Sequence, residues 1–214
     1  EFASLGFYLT AHPMDEHSWE VRKVAPEPIL SLSSGKHIQR CSGVVIAFKK
    51  INTRRGPLVF ATLDDNSDRI ELVISGDVLE KFAQPIDNEK ILIVDGEISI
   101  DNSKERENLG LGKKMNVSTM LTLEQARIKF ARKLTICMNN DDTSLLDENL
   151  KELKSFSANI TEGCPVEIKY SSKEIDAEID VGNDFKILLN DENLKKLVKN
   201  YGEKNLDISY FTRQ

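Results

Sequence analysis

The chain has 214 residues, a formal net charge of −6, 40% hydrophobic and 30% charged residues; this is room for two small domains of ordinary globular composition. A chain this anionic is not a generally basic nucleic-acid binder, so any contact with a polyanion has to come from a local patch. Cys41, Cys137 and Cys164 are far apart with no CxxC spacing, which reads as a reducing, cytoplasmic setting without disulfides or a zinc site, and no apolar run approaches the roughly 20 residues of a membrane helix.

In chain order, "EFASLGFYLTAHPM" sets Phe2, Leu5 and Leu9 at helical spacing up to a break at His12-Pro13. Asp15 can cap a short helix through Trp19 and Val21. "APEPILSLSSGK", with its prolines, serines and glycine, reads as a linker, so residues 1–35 form a connector. Residues 36–124 read as strands: "CSGVVIAFKK", "PLVFATL", "RIELVIS", then a short helix "DVLEKFAQ", then "KILIVDGEIS" and "KKMNVSTMLTL". Five strands with a helix between the third and fourth is the order of an OB-fold, a small Greek-key barrel.

Residues 125–214 change texture. "EQARIKFARK" reads as a helix with Ala126, Phe130 and Leu134 on one side, and "KLTICM" as a strand. "DTSLLDENLKELKSFS" carries the clearest helical stripe, Leu145, Leu146, Leu150 and Leu153. "PVEIKY" and "EIDAEID" predict a hairpin across Ser171-Ser172. "DFKILL" is a further strand, "NDENLKKLVKNYG" a helix ended by Gly202, and "LDISYF" a last strand. The expected fold class is α+β, mainly β: a five-stranded OB-fold barrel followed by a small α+β domain.

The candidate chemistry starts at the β1–β2 turn. Lys49, Lys50, Arg54 and Arg55 cluster there with no acid between Cys41 and Leu63, and Gly56 supplies the bend. Single-stranded nucleic acid takes a cationic track with aromatic faces to stack on, and Phe48 and Phe60 lie on the two adjoining strands. The alternative is a solvated tip whose charges blunt an edge and whose phenylalanines are core. Lys113 and Lys114, at the end of the loop before the fifth strand, could extend the track, because OB-folds use these two loops as jaws.

Other patterns carry no chemistry. Asp64, Asn66 and Asp68 fit the first places of an EF-hand loop, but Arg69 stands where its glycine belongs and Ser75 where its glutamate belongs; the stretch reads as a polar turn. "GLGKK" lacks the spacing of a phosphate loop. His12 and His17 have no third ligand, and all three histidines fall within the first 37 residues, so neither a metal, a cofactor nor a catalytic residue is expected. In the last strand, Leu206, Ile208 and Tyr210 take one side and Asp207, Ser209 and Phe211 the other. The apolar members, Leu206, Ile208, Tyr210 and Phe211, are packing residues or a partner's anchor.

Taken together, "LGFYLTAHP", "SGVVIAFKKINTRRG", "FATLDDNSDRIELVI", "ILIVDGEIS" and "LTLEQARIKFARKLTI" resemble, in order, the C-terminal region of the alpha subunit of bacterial DNA polymerase III. Ala11 departs from that family's usual glycine before His-Pro. The resemblance implies an OB-fold beside the template that contacts single-stranded DNA through Lys49, Lys50, Arg54 and Arg55. It implies a last domain, 125–214, that docks the tau subunit of the clamp loader, with its contact within residues 190–211. It also implies that the catalytic carboxylates of the nucleotidyltransferase lie upstream, so this stretch is not itself an enzyme. The alternative is a pure protein-interaction module whose OB-fold is a spacer and binds no DNA.

Overall fold

The computed structural model describes residues 14, 18–54, 56–82, 86–87, 90–100, 112–139, 151, 153–154, 156, 163–173, 175–182 and 185–211. The chain divides into two compact units, Glu1–Leu123 and Glu124–Gln214.

The first unit holds α1 (Ser18–Val24), a 3-10 turn (Ile29–Ser31), β1 (Gly35–Thr53), β2 (Gly56–Asp64), β3 (Arg69–Ser75), α2 (Gly76–Phe82), β4 (Ile91–Ile100) and β5 (Lys113–Thr122). The strands form a closed barrel in the order β1-β2-β3-β5-β4, the OB-fold expected from the order of elements. Length makes closure possible. β1 runs for 19 residues, pairing with β4 along its first half and with β2 along its second, the two overlapping at Val44. A strand shared in this way lets a sheet curl onto itself. β3 and β5 then meet in parallel over Glu71–Val73 and Lys114–Asn116. Gly96 permits the close crossing of β4 over β5, since a Cβ there would press on the Asn116 carbonyl and the Met115 side chain.

Period-2 alternation decides what fills the barrel. Val59, Ala61 and Leu63 of β2 and Ile70, Leu72 and Ile74 of β3 are buried in one core, while the residues between them stay half-buried on the outer face. Val78 and Phe82 of α2 join that core. So do Ile29 and Leu32, which corrects the reading of residues 25–36 as a linker. The turn of Ile29 packs at the start of β3, where the β2–β3 loop holds its backbone. Asp65 Oδ2 accepts from the Ile29 N–H at 2.8 Å and Ser67 Oγ from the Leu30 N–H at 3.2 Å. Lys113 Nζ donates to the Ile29 and Leu30 carbonyls, both at 2.8 Å, and to Asp68 Oδ2 at 3.0 Å. Asp65 Oδ1 meanwhile closes its own loop on the N–H groups of Ser67 and Asp68, and Asn66 takes φ 70°, a left-handed angle that asparagine tolerates.

The second unit contains α3 (Leu123–Phe130), whose first residue is the last of the first unit, β6 (Ala131–Asn139), β7 (Cys164–Ser171), β8 (Asp176–Asp180), β9 (Lys186–Ile187), α4 (Asp191–Tyr201) and β10 (Leu206–Tyr210). Its sheet runs β10-β6-β7-β8, with β9 on β7. α3 ends at Phe130, three residues before the expected Lys133, because Ala131 and Lys133 are taken into pairing with Tyr210 and Ser209. Sheet pairing outweighs local helix preference here. α4 opens with Asn190, whose side chain accepts from the Asn193 N–H, and closes at Gly202 with φ 82°. Most of the helix expected over 142–157 lies outside the described residues; Leu153 is helical and 1% exposed. Arg127 is buried and donates to the Leu189 carbonyl at 3.1 Å and to Asp191 Oδ1 at 2.9 Å, joining α3 to the start of α4.

Leu134, Ile136, Val166 and Ile168 face the interior. The other face of the sheet is polar: Lys133 Nζ donates to Glu167 Oε1 at 2.7 Å and Thr135 Oγ1 to Glu167 Oε2 at 3.3 Å. Burial pushes the Cys164 thiol up to about 12, and burial with the nearby Asp65 and Asp95 carboxylates pushes Cys41 far above the ordinary thiol value.

Replacing Ile29 by Ala should lower the denaturation midpoint of the barrel by the equivalent of about 3 kcal/mol, whereas Leu30→Ala, at a residue 64% exposed, should change it little. Urea titration followed by circular dichroism separates a packed turn from a linker. A second expectation concerns pH. The hydrogen bond from Lys133 holds the Glu167 carboxyl below its ordinary value of 4.5. Its contribution is therefore complete above that value and fades as pH falls through the lower, folded one. Glu167→Gln should be less stable than wild type at neutral pH and match it in strong acid.

Candidate nucleic-acid interface

The β1–β2 arm is built by cross-strand pairing that continues to Thr53 and Gly56. Thr53 Oγ1 donates to the Gly56 carbonyl at 2.8 Å, and Gly56 takes φ 109°, which a side chain would resist. Along the arm Lys49, Lys50 and Arg54 are exposed. Among the described residues none of the three has an ion pair or hydrogen-bond partner on its side chain. Arg55 lies outside the described residues.

Register arranges the outer face in rows. Lys49 stands opposite Phe60, and Phe60 opposite Val73. Ala47 stands opposite Thr62, Thr62 opposite Glu71, and Glu71 beside Lys114. Leu58, Phe60 and Val73 are thus half-buried apolar residues on a face that a one-sided sheet ordinarily makes polar. Phe48 is 45% exposed. Ala47, Phe48, Lys49, Phe60, Thr62 and Glu71 line an open groove of about 330 Å3. The two phenylalanines and Lys49 expected to act together do share one depression.

Lys113 and Lys114 do not extend that track. The Lys113 ammonium is taken by Asp68 and the two carbonyls of the 3-10 turn, with its side chain 17% exposed. The Lys114 ammonium lies 3.4 Å from Glu71 Oε2. Their charge is matched locally, and Lys113 serves the fold. Charge counting along the sequence marks both as cations; only the fold brings Asp68 and Glu71 to them. Glu71 lies in the groove but outside the set of residues expected from the sequence; alternation along β3, which puts it on the same face as Val73, is the signal the sequence carries for it.

In the second unit, Leu206 and Ile208 are buried, 6% and 0% exposed. They pair opposite Ile136 and Leu134 on the inner face of the sheet and cannot anchor a partner from outside. Tyr210 is half-buried. Phe211 is 62% exposed, with the Arg132 guanidinium 5.9 Å from its ring centre.

Among the described residues no group of histidine, cysteine and acidic side chains could hold a metal ion, and no helix is long and apolar enough to cross a membrane.

Comparison with known proteins agrees with the barrel. The tRNA anti-codon family model, described as an OB-fold nucleic acid binding domain, matches residues 40–118. The DNA polymerase III subunit alpha of Pseudomonas fluorescens is 27% identical over 97% of this chain and 17% of its own length. That of Escherichia coli K12 is 28% identical over 98% of this chain and 18% of its own. The second OB-fold domain of replication protein A from Methanococcus maripaludis overlays at 16% identity with a TM-score of 0.33, over 44% of this chain and 90% of that one. The chain thus spans under a fifth of the length of the curated relatives it matches, and over nearly all of its own length it resembles the OB-fold-bearing C-terminal region of the DNA polymerase III alpha subunit.

Proposed function

We propose that this chain is a non-catalytic stretch of a replicative DNA polymerase III alpha subunit, working in the cytoplasm, whose barrel holds single-stranded template DNA. The observation that carries the reading is the contrast between the lysines. Those of the β1–β2 arm stand without partners among the described residues, while Lys113 and Lys114 are paired with carboxylates. An arm of unmatched cations beside a groove holding Phe48 and Phe60 suits a strand whose phosphates follow the arm and whose bases stack on the rings. In this reading residues 1–35 connect to the polymerase body, 36–124 form the DNA-contacting barrel and 125–214 dock the tau subunit of the clamp loader. Support for that docking is the exposed Phe211 ring with Arg132 against it. The catalytic residues of the nucleotidyltransferase belong to the parent subunit, which also brings in the other replisome proteins.

The test is a titration of a fluorescent mixed-sequence oligonucleotide against wild type and a Lys49→Ala, Lys50→Ala, Arg54→Ala variant. Each phosphate contact contributes about 0.7 to the slope of log affinity against log salt on a single strand. The variant should therefore bind more weakly and show a slope smaller by about 2. Equal affinity and equal slope would leave the barrel as a spacer in a protein-interaction module. For the second unit, Phe211→Ala should weaken capture of purified tau with the melting temperature unchanged.

A further inference from the structure

Resting on the single-strand reading above, we infer that Glu71 makes the groove selective for bases that carry an amino group, cytosine and adenine among them, over thymine. The groove has one acidic side chain and one cation, at opposite sides of Phe60: Glu71 on β3 and Lys49 on β1. A phosphate is attracted to the unmatched charges of Lys49, Lys50 and Arg54, whereas on the β3 side the Lys114 ammonium is already taken by Glu71 and offers it no free cation. The sugar-phosphate chain of a bound strand therefore follows the β1–β2 arm, and its bases point across Phe60 toward β3. There the base edge meets Thr62 and Glu71, which stand directly opposite each other.

A carboxylate has only acceptors to offer. The exocyclic amines of cytosine and adenine are donors, whereas thymine presents a carbonyl at the corresponding position. A carbonyl facing a carboxylate sets two acceptors against each other and leaves the base oxygen without a donor, which costs more than a hydrogen bond gains. The Glu71 side chain is held for this role. It is 12% exposed and lies 3.4 Å from the Lys114 ammonium, so its carboxylate is anchored on the side away from the groove's cation. Phe60 stacks any base; Glu71 discriminates among them.

Anisotropy titrations of the whole chain with oligo-dC and oligo-dT of equal length test this. Wild type is expected to prefer oligo-dC by about five- to ten-fold. In Glu71→Gln the preference should collapse toward parity, because the amide offers a donor as well as an acceptor. A third probe needs no variant: oligo-dC with doubly methylated amines keeps the ring and loses its donors, and should bind wild type like oligo-dT. Equal wild-type affinity for oligo-dC and oligo-dT overturns the inference, and so does a preference that survives both Glu71→Gln and amine methylation. Failure of folded wild type to bind any of the oligonucleotides, the mixed sequence included, overturns the DNA reading of the barrel itself.

Discussion

The barrel depends on a short parallel seam. β3 and β5 meet over three residues each, Glu71–Val73 against Lys114–Asn116, and parallel pairing is the weaker kind per residue. Without it the five strands would be an open sheet in the order β3-β2-β1-β4-β5, with exposed edges on β3 and β5. Two lysines reinforce the seam at its start. Lys114 meets Glu71 across it, and Lys113 joins Asp68 to the turn that carries Ile29 into the core. The ammonium of Lys113 has three hydrogens and three acceptors, so two backbone carbonyls and a carboxylate are satisfied at once. Closing the seam also sets which face of β3 looks outward, and so puts Glu71 and Val73 in line with Thr62 and Phe60.

An anionic chain can still present a cationic surface when its charges are partitioned. Asp64 is matched by Arg69, Asp68 by Lys113, Glu71 by Lys114, and Asp95 by Arg40 through two hydrogen bonds of 2.7 and 3.0 Å. All of these pairs lie within the barrel wall or at its β2–β3 end. The β1–β2 arm lies at the other end of β2 and contributes Lys49, Lys50 and Arg54 without a facing acid among the described residues. Net charge describes the long-range field; the arm acts at short range, within about 8–10 Å at ordinary salt.

Much of the barrel was legible because alternation is a local signal. Alternation delimits β3 as Arg69–Ser75 and the other strands within a few residues, with the exception of β1, whose first six residues from Gly35 lack a strong apolar pattern. What stayed hidden depends on distant partners. Proline and serine made residues 25–36 look like a linker, although Ile29 and Leu32 are spaced to share one side of a turn and both are core. Lys113 and Lys114 look available in the sequence because Asp68 and Glu71, 45 and 43 residues upstream of them, come beside them only when the barrel closes. In β10 alternation put Leu206 and Ile208 on one side, but alternation does not say which side is the interior; α4 and the neighbouring strands decide that.

One inserted residue decides the order of groups on the candidate DNA face. β1 is in step with β2 up to Val45 opposite Leu63, both in the core. The pairing then skips Ile46, and Ala47 falls opposite Thr62. A bulge of this kind shifts every later residue to the other face. With it, Lys49 stands opposite Phe60 on the outer face and Phe48 opposite Ala61. In an unbroken ladder Phe48 would occupy the place opposite Phe60, and Lys49 would point toward the side of Val59, which is core. The juxtaposition of cation and ring that the proposed strand path needs is therefore a property of the bulge, not of the spacing of Phe48, Lys49 and Phe60 in the sequence. This is why those residues could be nominated from the sequence while their arrangement could not.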